Sequence, residues 1–273
     1  MVRWVAMFPG VSGARSDEGA GALDCAGPLS EAGRLQVETY GASVAGFRAL
    51  GAPPAAIAEH SMGIYAALAA AGVWTFEDGA RVVGEASRCL DAAPPGGVAV
   101  CVGLPLARIE ELCRETGVAL ANENSEVQHA VGGPPEALDA FERAARAAAA
   151  YDVVRVPLAG AVHTPWMAEA TRRMAAFLRG VPMRAPEIPF VSHVDAEWID
   201  DPEVIRVHVA EALSKPVRWR PVVERLLREG FEAFVDVGPG DVLAKLVKWV
   251  NRSAKTASVS VDLAAARRVA ART

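Results

Sequence analysis

Apolar residues follow two rhythms along this chain. Short, mostly β-branched runs that stop at Gly or Pro predict buried strands. Longer stretches with apolar residues three or four apart predict helices. Residues 2–8 form an apolar run ended by Pro9-Gly10, which reads as a strand entering a tight loop. Residues 12–33, rich in Gly, Ala and Ser, predict an irregular connection. A helix is predicted over 35–50, stopped by Gly51-Ala52-Pro53-Pro54. The short apolar segment 55–58 leads to Ser61, and helices are predicted over 62–72 and 76–92.

Residues 97–157 have their own order. Strands are predicted near 98–103, 118–122, 128–132 and 151–157, with helices over 106–116 and 134–150. Strand, helix, strand, strand, helix, strand is the split βαβ order of a ferredoxin-like unit. Beyond it come a helix (165–178), a strand (188–193), two helices (201–213 and 218–229), and a strand (231–237) that meets Gly238-Pro239-Gly240 before a last helix to about 250. Strands alternating with helices predict a parallel, helix-covered sheet. The expected fold is α/β, with residues 1–96 and 158–273 as the core and 97–157 as an inserted small subdomain.

Composition narrows the function. The 273 residues are 52% hydrophobic and 22% charged, enough for a packed core. A net charge of −5 speaks against a nucleic-acid coat or a polybasic membrane binder. Cys25, Cys89, Cys101 and Cys113 form no CxxC pair and stand near no His cluster, so neither a metal site nor a disulfide framework is expected. The first residues lack the length of a signal-peptide core, and no apolar stretch is long enough to span a membrane. The expectation is a soluble cytoplasmic protein.

Candidate chemistry centres on Glu59-His60-Ser61-Met62-Gly63, which follows a predicted strand and opens a predicted helix. A nucleophile elbow needs that context: a sharp turn presents the serine hydroxyl, and the helix N-terminus offers backbone N–H groups to an oxyanion. An ordinary helix N-cap serine fits the same pattern. A nucleophilic serine needs a base. His60 adjoins Ser61 and leaves the backbone in another direction. His129 falls in a predicted strand and His208 in a polar helix, where structural or solvated roles fit. His163 sits in Ala161-Val162-His163-Thr164-Pro165, between a strand and a helix, where site residues gather.

Together these pieces resemble the malonyl-CoA:acyl-carrier-protein transacylase family, which includes the acyltransferase domains of polyketide synthases. Phe8-Pro9-Gly10 is similar to that family's F-P-G-Q-G loop, and His60-Ser61-Met62-Gly63 to its G-H-S-x-G motif. Asn122-Glu123-Asn124-Ser125 with Gln128 resembles its N-x-N-S-x-x-Q segment, and His163 with Met167 its histidine motif. Ser214-Lys215-Pro216-Val217-Arg218-Trp219 and Val237-Gly238-Pro239-Gly240-Asp241-Val242-Leu243 resemble two C-terminal signatures. They occur in the family's order. The resemblance implies an α/β-hydrolase-like core with an inserted ferredoxin-like subdomain, and ping-pong catalysis. Ser61 would carry the acyl group and His163 would act as base and acid, oriented by the Ala212 backbone carbonyl. The N–H groups of Val11 and Met62 would hold the oxyanion. His60, Asn122, Asn124, Val162 and the position of Ala86 would face the substrate. No cofactor or metal is implied; an acyl-CoA or phosphopantetheine thioester would be the substrate and an acyl carrier protein the partner.

Departures from the family shape the specificity. The connection over 12–33 is short. Glu59 stands where the family has a small glycine, and Ile64 where it has an acidic residue. Ala86 occupies the position of the arginine that pairs with malonate's free carboxylate, five residues beyond Arg81. Arg88 lies roughly 200° further around a helix and is expected to point away. Val162 matches neither usual extender-unit signature. The expected function is therefore transfer of a neutral acyl group to a carrier through Ser61, in polyketide or fatty-acid assembly. Malonyl transfer and an editing hydrolase that gives the acyl group to water are the alternatives, and a non-catalytic carrier-binding scaffold is disfavoured by the presence of both Ser61 and His163. Arg218, Arg220, Lys245 and Lys248 are candidate carrier contacts, with a solvated face the stronger reading for each.

Overall fold

A computed structural model describes residues 3–11 and 20–271 of the chain. In order, the elements are β1 (Trp4–Phe8), α1 (Ala20–Ala26), α2 (Glu31–Leu50), β2 (Ala56–Glu59), α3 (Gly63–Ala70), α4 (Phe76–Asp91), β3 (Gly97–Val102), α5 (Leu106–Thr116), β4 (Ala119–Glu123), β5 (Gln128–Gly133), α6 (Pro135–Ala147), β6 (Asp152–Val156), α7 (Ala168–Leu178), β7 (Phe190–Val191), α8 (Pro202–Glu211), α9 (Trp219–Arg228), β8 (Ala233–Asp236), α10 (Val242–Val250), β9 (Lys255–Ser258) and α11 (Leu263–Ala270).

Five strands pair in parallel in the order β7-β2-β1-β8-β9. Every residue of the central β1 is buried, which is why its sequence shows an unbroken apolar run rather than alternation. Its side chains divide between two cores. Trp4, Ala6 and Phe8 join Ile57, Val83 and Val209 on one face, while Val5 and Met7 join Phe234, Trp219 and Val247 on the other. A separate antiparallel sheet has the order β4-β5-β3-β6, with α5 and α6 packed on one face through Ile109, Leu112, Leu138 and Phe141. The small sheet is tied to the core by backbone bonds from β4 to the segment between α8 and α9: Glu123 N–H donates to Val217 O (2.8 Å) and Val217 N–H to Ala121 O (2.8 Å).

Local chemistry sets the helix ends. The Ser30 hydroxyl accepts from Gly33 N–H to start α2, and Gly51 ends it in the left-handed conformation. Thr75 caps α4 through Asp78 N–H, and Asp201 caps α8 with Pro202 at its first position.

The structure corrects one reading of the sequence. The connection expected to be irregular over 12–33 contains α1, although residues 12–19 lie outside the described residues. Its Ala-rich sequence carries no apolar stripe. Ala22 and Ala26 are nonetheless buried, because Gly84 on α4 lets the Ala26 backbone approach: a Cβ at Gly84 would stand 2.7 Å from Ala26 O. Two further elements, β9 and α11, follow the last predicted helix. Strand β9 reads Lys-Thr-Ala-Ser and lacks the apolar run that marks the other core strands.

Candidate active site

Ser61 stands between the end of β2 and the start of α3, with φ = 58°, in the left-handed region that an L side chain seldom adopts. The turn closes tightly because the residues around it are small. A Cβ on Gly63 would lie 2.0 Å from the Phe8 carbonyl oxygen, so α3 can rest against the end of β1 only with glycine there. A Cβ on Gly10 would meet the Ser61 Cβ at 3.2 Å, so the loop after β1 runs directly over the serine.

His163 enters from the segment between β6 and α7, also with positive φ (66°). Ser61 Oγ and His163 Nε2 are 2.7 Å apart. His163 Nδ1 lies 2.6 Å from the Ala212 backbone oxygen at the end of α8. A carbonyl can only accept, so Nδ1 carries the proton and Nε2 is left with the lone pair that accepts from the Ser61 hydroxyl. Burial drives the His163 imidazole down to about 3, and the neighbouring His193 pushes in the same direction.

His60 is turned away from Ser61. Its Nε2 donates to Asn124 Oδ1 (2.9 Å), the Asn122 amide stands 3.3 Å from the same nitrogen, and the Trp219 ring lies edge-on. Burial lowers His60 to about 4. Asn124 also donates from Nδ2 to Gln128 Oε1, tying His60 to the small sheet. His129 and His208 take structural positions. His129 is fully buried in β5; His208 bonds Ser192 Oγ at 2.9 Å and faces Asp195.

An inner chamber beside Ser61 is walled by Val11, Met62, Tyr65, Ala86, Leu90 and Val162, among others, and holds about 60 Å³. It continues into a cleft of about 460 Å³ between the two sheets, whose far wall is the face of the small sheet turned away from α5 and α6: Val98, Val100, Ala130 and Val156. Thus Ser61, His163, Val11, Met62, Ala86, Val162 and Ala212 meet at the chamber, and His60, Asn122 and Asn124 line the cleft. Among the described residues, neither wall includes a Lys or Arg; the charged side chain at the chamber is Asp91. Arg88 faces away, donating to Glu85 Oε2 (3.0 Å) and Ala26 O (2.9 Å). Burial raises the Glu85 carboxyl, but bonds from Arg173 and Arg88 outweigh it and bring it below the ordinary range. Of the four expected carrier contacts, three are engaged at the surface, Arg220 with Glu224, Lys245 with Asp241, and Lys248 Nζ with Arg252 O, while Arg218 is exposed.

Sequence reasoning passed over one neighbour of the site. Glu59 and His193 are both completely buried. His193 N–H donates to Glu59 Oε1 (2.9 Å) and His193 Nδ1 to Glu59 Oε2. The His193 ring stands perpendicular to that of His163, with centroids 6.0 Å apart. An acidic residue at a position expected to be small was the signal in the sequence; nothing marked His193 as its partner. Among the described residues no group of three or more His, Cys, Asp or Glu could hold a metal ion, and no helix is long and apolar enough to cross a membrane.

Comparison with known proteins bears on this geometry. The profile of the family described as "Acyl transferase domain" matches residues 38–268. The chain is 34% identical over 200 residues to the polyketide biosynthesis protein ThaF of Burkholderia thailandensis; that match covers 72% of this chain but only 17% of ThaF. It is 33% identical over 243 residues to the malonyl CoA-acyl carrier protein transacylase of Escherichia coli strain K12, covering 84% of this chain and 79% of that protein. A solved structure of a type II polyketide-synthase acyl-carrier protein in complex with its malonyl-transacylase superposes with a TM-score of 0.89 at 27% identity, over 99% of this chain and 100% of that one.

Proposed function

The chain belongs to the acyl transferase domain family, and from that premise we propose that it is an acyl-carrier-protein S-acyltransferase working through a Ser61 acyl-enzyme. The observation that carries the proposal is the chain of contacts Ser61 Oγ–His163 Nε2–His163 Nδ1–Ala212 O at 2.7 and 2.6 Å. As Ser61 Oγ attacks a thioester carbonyl, its proton passes to His163 Nε2 and the imidazolium is held by the Ala212 carbonyl. The developing oxyanion sits against the N–H groups of Val11 and Met62. Collapse breaks the C–S bond, and the leaving thiolate takes the proton from Nε2. The second half-reaction reverses these steps. A phosphopantetheine thiol gives its proton to Nε2 and its sulfur attacks the Ser61 ester. Every proton moves between the protein and the two thiols.

We further propose that the acyl group is short and neutral. Ala86 lies in the chamber wall, Arg88 is committed to Glu85, and among the described residues the charged side chain there is Asp91. A malonyl carboxylate in that wall would lose water without gaining a cation from any of the described residues. At about 10–15 Å³ per water-sized group, the chamber takes on the order of five non-hydrogen atoms. The malonyl alternative draws on the names of the relatives. The small antiparallel unit, residues 97–157, is proposed as a subdomain that forms the outer wall of the cleft and meets the pantetheine arm.

The test is intact-protein mass spectrometry after incubation with a panel of acyl-CoAs and acyl-carriers, with and without holo-carrier as acceptor. The expected result is one acyl mass on the protein, absent from Ser61→Ala, that is discharged to carrier faster than to water. Discharge to water at the same rate makes the enzyme a hydrolase, and an acylated Ser61→Ala overturns the mechanism.

A further inference from the structure

Directly behind the serine turn lies the Glu59–His193 pair, which the steps above do not use. Both side chains have no solvent exposure, and burying two ionisable groups is costly unless they serve each other. They do so with good geometry: both carboxylate oxygens of Glu59 accept from His193, one from its backbone N–H and one from Nδ1. His193 Nε2, by contrast, is buried with no hydrogen-bond partner. The ring edge-to-face with His193 is the His163 imidazole.

We propose that Glu59 and His193 are positioning residues for His163: tied to the end of β2 by Glu59, the His193 ring fixes the plane of His163 and holds it as the neutral base that accepts from Ser61. This rests on the reading of His163 as the base. The groups around the pair are few. Glu59 comes from β2, His60 from the turn and His163 from the segment before α7. Arg218 gives its backbone N–H to the His193 carbonyl (2.9 Å). Tyr65 of α3 lies near Glu59, and its phenol is pushed up, first by burial. His208 of α8 is bonded to Ser192 and faces Asp195. On this proposal the proton shared by the pair resides on His193, whose Nδ1 faces the Glu59 carboxylate and whose ring stands next to His163. A proton held there would disfavour a second one on His163, the same direction in which His193 adds to the effect of burial on His163 and His60. Placing Glu59 immediately before His60-Ser61 ties this control to the turn itself.

The experiment measures single-turnover acylation of Ser61 by an acyl-CoA in quench-flow, jumping the protein from pH 7.5 to assay pH values between 2.5 and 8. Glu59→Gln and His193→Asn each keep a hydrogen bond between the positions and remove the charge next to His163. Their acid limb is expected to move up by about one pH unit relative to the unmodified protein, whatever the plateau rate, and the double variant to move no further. An unmoved limb with a uniform loss of rate at every pH means a purely structural pair and overturns the inference. If neither variant folds, ¹⁵N-imidazole NMR of the unmodified protein decides. His193 protonated on both nitrogens beside a neutral His163 at pH 6 supports the inference, and a neutral His193 overturns it. His163→Ala is the control for the underlying reading: full acylation by that variant removes His163 as base, whereas its loss together with unmoved limbs in the other variants removes only the role of the pair.

Discussion

At the scale of single residues, the proposed chemistry depends on three atoms and one missing guanidinium. Ser61→Ala removes the attacking oxygen, and His163→Ala removes its proton acceptor. His163→Ala is expected to cut acylation by on the order of 10²-fold or more, measured as single-turnover mass transfer. Ala86→Arg tests the specificity reading. Each charge-assisted bond between a guanidinium and a carboxylate contributes about 1.5–3 kcal/mol. Competitive loading from equal malonyl-CoA and acetyl-CoA should favour acetyl in the unmodified protein. In Ala86→Arg the balance should shift toward malonyl by about 10- to 100-fold. Strong malonyl preference in the unmodified protein would show that another cation meets the carboxylate.

Elements then explain why these residues hold their places. Helix α3 sits against β1 only because Gly63 has no side chain: its Cβ would fall 2.0 Å from Phe8 O, a backbone atom that cannot swing aside. Gly63→Ala should therefore displace the turn, with a loss of about 2–4 kcal/mol in denaturant unfolding and a comparable loss of acylation. At the same end of the sheet, Asp236 closes β8 and accepts from Gly238 N–H (3.4 Å) and Leu243 N–H (3.0 Å), which anchors α10. Burial raises its carboxyl to about 7, with the backbone hydrogen bonds opposing. Its folded state holds a proton that the unfolded chain has already released, so this group costs stability as pH rises from about 4 to 7. The stability of Asp236→Asn relative to the unmodified protein should accordingly improve between pH 5 and 8, on the order of a few kcal/mol. A difference independent of pH would refute the assignment.

For the whole molecule, the buried histidines act in the opposite sense. His60 and His163 are lowered to about 4 and about 3, first by burial. Below the ordinary histidine value the unfolded chain takes up protons that the folded protein refuses, so their contribution is complete above about pH 6.5 and is lost as the pH falls. Asp236 gains over much of the same interval. One carboxyl offsets little more than half of what two histidines lose, so unfolding free energy should fall by about 1–2 kcal/mol from pH 7 to 5 in the unmodified protein and about twice as far in Asp236→Asn, as read from urea titrations at several pH values. An equally steep acid loss in the two proteins would show that the compensation is absent. The same packing accounts for the cleft: the small sheet docks by the Ala121–Val217–Glu123 backbone bonds, leaving the apolar face of β3, β5 and β6 opposite Ser61.

Much of this was legible in the sequence because local patterning and tertiary demand agree there. The unbroken apolar run of β1, the split βαβ order over 97–157 and the strand-to-helix step at Ser61 each correspond to an element where expected, and the ordered motifs pointed to the acyltransferase family. Helix α1 was illegible because small residues buried by close approach leave no apolar stripe. Strand β9 was hidden because its short polar sequence is extended by pairing with β8 alone. The meeting of Ser61 with His163, 102 positions apart, could be expected only from motif order, and the distance between them is set by the packing of α7 and α8. The Glu59–His193 contact spans 134 positions and follows from no periodicity: β7 happens to lie beside β2, and that neighbour relation is a property of the sheet. Composition and periodicity thus determined which segments are buried and in what order. Only the tertiary structure decided which buried polar groups face one another, because a buried charge is stabilised by whatever partner the fold brings within hydrogen-bond reach.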